Sequence, residues 1–106
     1  MSDWINVTSA DAIAPGEWEV VELEDTSIVI YNIDGQFHAI ENVCSHEDAP
    51  LAGLPPEGDQ VVCPRHGARF CLRTGEALTP PAYEPVHVFP VRVVDGIVQV
   101  RDDRWD

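Results

Sequence analysis

The tightest constraint on this chain is a pair of short turns in which cysteine and histidine alternate. Residues 44–46 read CSH and residues 63–67 read CPRHG, with 16 residues between His46 and Cys63. Zinc can take two cysteines and two histidines tetrahedrally, but the usual order is Cys, Cys, His, His, with a helix carrying the histidines. Here the order is Cys, His, Cys, His, and the residues lie on turns flanked by proline and glycine. Interleaving suits two metal ions, each turn giving one ligand to each ion. Cys44 and Cys63 would then hold one ion, and His46 and His66 the other.

The sequence on either side of these turns reads as strands. Residues 17–23 (EWEVVEL), 26–33 (TSIVIYNI) and 36–41 (QFHAIE) are rich in β-branched and aromatic residues with partial alternation. Asp34-Gly35 joins the last two runs, and Asp95-Gly96 joins 86–94 (VHVFPVRVV) to 97–101 (IVQVR). Asp-Gly signals a two-residue hairpin turn because both positions accept positive φ. Pro90 has no N–H for a ladder and is expected at an edge or bulge. No segment has a helical period; residues 9–16 are expected to hold one short turn, ended by Pro15-Gly16. Between the hairpins, residues 43–82 hold all three cysteines, two of the four histidines and most of the prolines. A loop-rich stretch this long inside a small domain is functional or disordered, and its Cys/His turns argue for a metal that holds it together. The expected fold is all-β, in one domain over residues 1–106. Antiparallel strands form a sandwich or barrel base, and a loop-rich cap covers about 43–82.

Length and charge restrict what such a domain can do. A chain of 106 residues has room for one core. Nineteen acidic residues against six arginines and no lysine give a net charge of −13. Thirteen of the acidic residues and none of the arginines lie in residues 1–64; residues 65–106 balance at six against six. Phosphate contacts need a basic patch, so nucleic acid is not an expected partner. The excess negative charge serves solubility or steers a basic protein partner. No apolar run approaches the ~18–20 residues that span a bilayer, so no membrane partner is expected. The acidic start has neither the basic flank nor the apolar stretch of a signal peptide, which points to the cytoplasm. With three cysteines, two of them beside histidines, a disulfide framework is a poor fit.

Cys44-Ser45-His46 with Cys63-Pro64-Arg65-His66-Gly67 resembles the Rieske motif, in which two histidines replace two cysteines on one iron of a 2Fe–2S cluster. The chain is similar in particular to the small Rieske ferredoxins of bacterial aromatic-ring-hydroxylating dioxygenase systems. The likeness runs through YNIDGQFHAIENVCSH, HGARFCLRTGEAL and EPVHVFPVRVVDGIVQV. It implies the Rieske fold and one 2Fe–2S cluster per chain, with Cys44 and Cys63 on one iron and His46 and His66 on the other. The histidines would lie near solvent and the cysteines deeper. It also implies a role in aromatic hydrocarbon catabolism, carrying single electrons from a flavin-containing NADH reductase to a terminal Rieske non-haem-iron oxygenase. Such a carrier is expected to be a monomer and to catalyse nothing alone; no G-x-G-x-x-G nucleotide fingerprint occurs. With neutral imidazoles the oxidised centre is formally neutral, whereas four thiolates leave it at about −2, so the potential rises relative to all-cysteine clusters. Three alternatives remain: a relative of nitrite-reductase small subunits, an iron–sulfur redox sensor, and a zinc-held interaction module.

Departures within the family refine the expectation. Respiratory-type Rieske proteins carry a disulfide at the positions of Ala49 and Arg65, and a serine and a tyrosine where Ala68 and Phe70 stand. Without those two hydroxyl donors to cluster sulfurs, the potential is expected low in the Rieske range, toward about −150 mV. Glu47-Asp48 follow His46 where the dioxygenase ferredoxins commonly have glycine, which points to an acidic docking surface and an atypical partner. Pro80-Pro81-Ala82 resembles the proline loop that covers the cluster. Gly67 and Gly75 are expected in tight turns or beside the sulfides, Cys71 as a buried filler beside Phe70, and His38 and His87 as structural residues. Arg65, Arg69 and Arg73 either dock a partner or neutralise Glu47 and Asp48.

Overall fold

A computed structural model describes residues 3–44, 50–65, 67–80, 82 and 84–104. Its architecture is best read outward from one strand. β3 (Ser27–Ile33) is buried along its whole interior, and its residues point alternately to two separate cores. Val29 and Tyr31 enter a core with Ile40, Val61, Phe70 and Leu72, whereas Ile28 and Ile30 enter one with Ala39, Phe89, Val98 and Val100. A sheet covered on both faces needs a continuous apolar run, and SIVIYNI supplies it.

Around β3 lie β2 (Trp18–Glu22), β4 (Gln36–Glu41) and, beyond β4, β7 (Val88–Phe89), in the order β2-β3-β4-β7. One face is covered by a three-stranded sheet, β1 (Ile5–Ser9), β9 (Ile97–Val100) and β8 (Val91–Val94), in the order β1-β9-β8. The other is covered by residues of the cap, which contains the hairpin of β5 (Gln60–Val62) and β6 (Arg69–Cys71). All pairings between these strands are antiparallel. The all-β sandwich expectation holds.

Local chemistry explains the turns. Asp34 and Gly35 have φ of 52° and 91°, and Asp95 and Gly96 have 53° and 77°, the positive pair that a two-residue hairpin requires. Asn32, buried on β3, uses both ends of its amide: Nδ2 donates to the Ile13 carbonyl at 2.7 Å, and Oδ1 accepts the Gly35 N–H at 2.7 Å. Residues 9–16 hold a single 3-10 turn, Ala10–Ala12, capped by the Ser9 hydroxyl, which accepts the Asp11 N–H at 3.3 Å.

The structure departs from the sequence reading in three places. The run 86–94 is two strands, because the chain changes sheets at Pro90: β7 pairs with β4 and β8 with β9. β1 was not anticipated; it pairs with β9, at the far end of the chain, through a bulge between Asn6 and Thr8. The cap contains a true hairpin, β5–β6, rather than loops alone.

Tyr31 contributes one testable oddity. Its side chain is fully buried, and among the described residues its hydroxyl has no hydrogen-bond partner. Such an orphan costs about 1–3 kcal/mol, so Tyr31→Phe is expected to raise the unfolding free energy, read by denaturant titration. Burial also pushes the phenol pKa well above its ordinary value of 10.0. The unfolded chain therefore releases this proton above pH 10 while the native one keeps it, and stability falls as pH rises there. Tyr31→Phe should show a shallower fall than wild type over that alkaline range.

Candidate metal centre

The two turns emerge from different parts of this framework. The first follows the end of β4, three residues before Cys44. The second is the loop of the β5–β6 hairpin, and Cys63 stands at its base directly after Val62. That loop is closed tightly: the Cys63 N–H donates to the Ala68 carbonyl at 2.7 Å, and the Gly67 N–H donates to the Cys63 carbonyl at 3.0 Å. Gly67, at φ +71°, supplies the left-handed residue this closure needs. Pro64, Arg65 and Gly67 are exposed, whereas Cys63 is 1 % exposed and Cys44 0 %.

Both cysteines belong to one apolar core with Leu51, Ala68, Phe70, Ala82 and Val86, and neither is in a disulfide. The chain beyond the first turn also approaches the second, since a Cβ on Gly53 would lie 3.1 Å from Pro64 Cγ. Two cysteine sulfurs brought by separate loops into one water-poor core form a soft donor set, which suits iron–sulfur ligation and fits the expected cysteine half of the centre. His46 and His66, the expected histidine half, lie outside the described residues, as do Glu47, Asp48, Ala49 and Pro81.

The profile of the Rieske [2Fe-2S] domain matches residues 3–90. The chain belongs to the Rieske [2Fe-2S] domain family. Membership implies a 2Fe–2S cluster, which, when bound, takes up and releases a single electron. This Rieske chain is 38 % identical over 86 residues to the biphenyl dioxygenase ferredoxin subunit of Pseudomonas sp. (strain KKS102), covering 80 % of this chain and 79 % of that one. A chain in the solved complex of reduced oxygenase and oxidized ferredoxin in carbazole 1,9a-dioxygenase matches with TM-score 0.87 at 34 % identity, over 92 % of both chains. The Sphingomonas yanoikuyae B1 ferredoxin matches with TM-score 0.86 at 29 % identity, covering 94 % of this chain and 99 % of that one.

Several neighbours of the Rieske centre stand differently from expectation. Cys71 is half-buried rather than a buried filler, because β6 alternates and turns it to the face opposite Phe70. The Thr74 hydroxyl at its sulfur, aided by backbone N–H groups and opposed by burial and Asp59, lowers its thiol pKa. Arg69 pairs with Glu57 at 2.9 Å and Arg73 with Asp59 at 3.3 Å. Gly75 does make a close backbone approach, but to Val86. Ala82 joins the core that holds both cysteines. His38 and His87 lie in the framework. Burial, with Arg73 adding and Asp59 opposing, lowers the His38 pKa, and the His87 ring meets Asp103 at 2.8 Å.

Proposed function

We propose that this chain is a one-electron carrier of the cytoplasm, a single Rieske domain over residues 1–106 that acts as a monomer. Its cluster is held by Cys44 and Cys63 on one iron and by His46 and His66 on the other. It takes electrons from a flavin-containing, NADH-dependent reductase and delivers them to a terminal non-haem-iron oxygenase that hydroxylates aromatic rings. The observation that carries the reading is that two buried cysteines from separate loops, neither in a disulfide, share one core in a chain of the Rieske family. Kinship with ferredoxin subunits of aromatic dioxygenases supports the choice of partners. No helix among the described residues is long and apolar enough to cross a membrane.

The chain's own residues set the conditions for transfer. Pro64, Arg65 and Gly67, beside buried Cys63, are exposed and open to an approaching partner. The acidic residues Glu17, Glu19, Glu22, Glu24, Asp25 and Asp34 are exposed, which favours a donor with a basic face. The test is the second-order rate of reduction by such a reductase. It is expected to fall about tenfold as salt rises from about 0.01 to 0.15 M and the Debye length shrinks from ~30 to ~8 Å. Glu47→Gln/Asp48→Asn should slow the low-salt rate if these residues belong to the contact. A rate indifferent to salt in both proteins leaves the acidic excess as solvation. Failure of any flavin reductase to reduce the protein sinks the carrier role.

A further inference from the structure

Asn42 stands two residues before Cys44, just past the end of β4, and uses every polar atom of its side chain. Its Oδ1 accepts two backbone N–H groups, from Leu51 at 3.0 Å and Ala52 at 2.8 Å. Its Nδ2 donates to Ser27 Oγ at 3.1 Å, and its backbone N–H donates to the Ser27 carbonyl at 2.8 Å. The Ser27 hydroxyl in turn donates to Glu22 Oε1 at 2.9 Å.

The directions in this chain of bonds determine one another. Ser27 has a single hydroxyl hydrogen and commits it to the Glu22 carboxylate, so its oxygen can only accept from Asn42. Nδ2 must therefore face Ser27, and Oδ1 must face the Leu51 and Ala52 N–H groups, which are donors only. The polar chain thus runs from β2 through β3 to the backbone just beyond residues 45–49. Leu51 is fully buried in the core that contains Cys44 and Cys63. Two residues further on, Gly53 lies against Pro64, the neighbour of Cys63. One amide therefore ties together the two ends of the segment carrying Cys44 and, through residues 51–53, sets that segment against the second cysteine loop.

We propose that Asn42 is a positioning residue for the cluster, the clasp that joins the chain just before Cys44 to Leu51 and Ala52 and fixes where the Cys44 sulfur stands relative to Cys63. The proposal rests on Cys44 and Cys63 being ligands. Asn42→Ala removes all three side-chain bonds, whereas Asn42→Asp keeps both acceptances from Leu51 and Ala52 but loses the donor to Ser27 and sets a charged carboxylate oxygen against the Ser27 oxygen.

The test compares cluster-loaded wild type, Asn42→Ala and Asn42→Asp by three readouts: bleaching under an iron chelator, the paramagnetic signal of the reduced protein, and hydrogen exchange of residues 50–54. In Asn42→Ala, bleaching should be about ten- to a hundredfold faster, the scale of the two hydrogen bonds lost to Leu51 and Ala52. Its signal should shift or broaden, and residues 50–54 should lose protection while β3 keeps its own. Asn42→Asp should restore slow bleaching and protection. Wild-type bleaching in Asn42→Ala overturns the proposal, and so does faster bleaching matched by equal loss of protection in β3, which marks general destabilisation. A wild-type chain that takes up no cluster overturns the ligand reading instead; exchange at residues 50–54 tells the two failures apart.

Discussion

Replacing Gly75 with alanine is expected to cost about 3 kcal/mol or more of folding free energy, because backbone would have to move to admit the methyl group. Gly75 is buried in the turn after β6 with φ +76°. Its N–H donates to the Cys71 carbonyl at 2.7 Å, and its own carbonyl accepts the Val86 N–H at 2.9 Å. A Cβ there would collide with the Val86 carbonyl oxygen and stand 3.1 Å from Val88 Cγ2. Val86 and Ala82 share the core of the two cysteines, so displacing this segment should also loosen the packing around both. Gly58 is the control: its φ is +61°, and a Cβ would meet nothing within 4 Å. Gly58→Ala should cost only about 1 kcal/mol, the conformational part alone. Denaturant midpoints of the two variants measure the difference, and equal losses would contradict the close approach.

The second large effect is on the reduction potential. Ala68 and Phe70 are fully buried in the core with both cysteines, and neither side chain can donate a hydrogen bond. A donor to a charged sulfur is worth about 1.5–3 kcal/mol, which for one electron corresponds to roughly 60–130 mV. Ala68→Ser and Phe70→Tyr are therefore each expected to raise the potential by up to that amount from a wild-type value near about −150 mV. Redox titration of the three proteins checks this. A wild-type potential near about +300 mV, or variants that leave it unchanged, would show that other groups set it.

What the sequence made legible follows from the range of each interaction. Strands β2, β3 and β4 were readable because alternation and the Asp-Gly turn are local, with positive φ at both turn residues. β1 escaped because its partner, β9, lies at the other end of the chain and its residues, INVTS, carry little apolar signal. Pro90 was readable as a place without a ladder N–H, but not as the point where the chain passes from one sheet to another. At the centre, the spacing of Cys44 and Cys63 was enough to bring them forward. Arg69 and Arg73 found Glu57 and Asp59, partners that only the folding of the cap brings beside them. Asn42 left no trace because a side chain bonding to backbone N–H groups imposes no pattern on its partners' identities.

The most direct test of the account is the content and spectrum of the protein purified without oxygen, alongside Cys63→Ser. Wild type is expected to hold about two irons and two acid-labile sulfides per chain, to be red-brown when oxidised, and to give a Rieske-type paramagnetic signal with a low average g when reduced. Cys63→Ser should lose iron, sulfide and colour together. A colourless wild-type protein carrying stoichiometric zinc would contradict it.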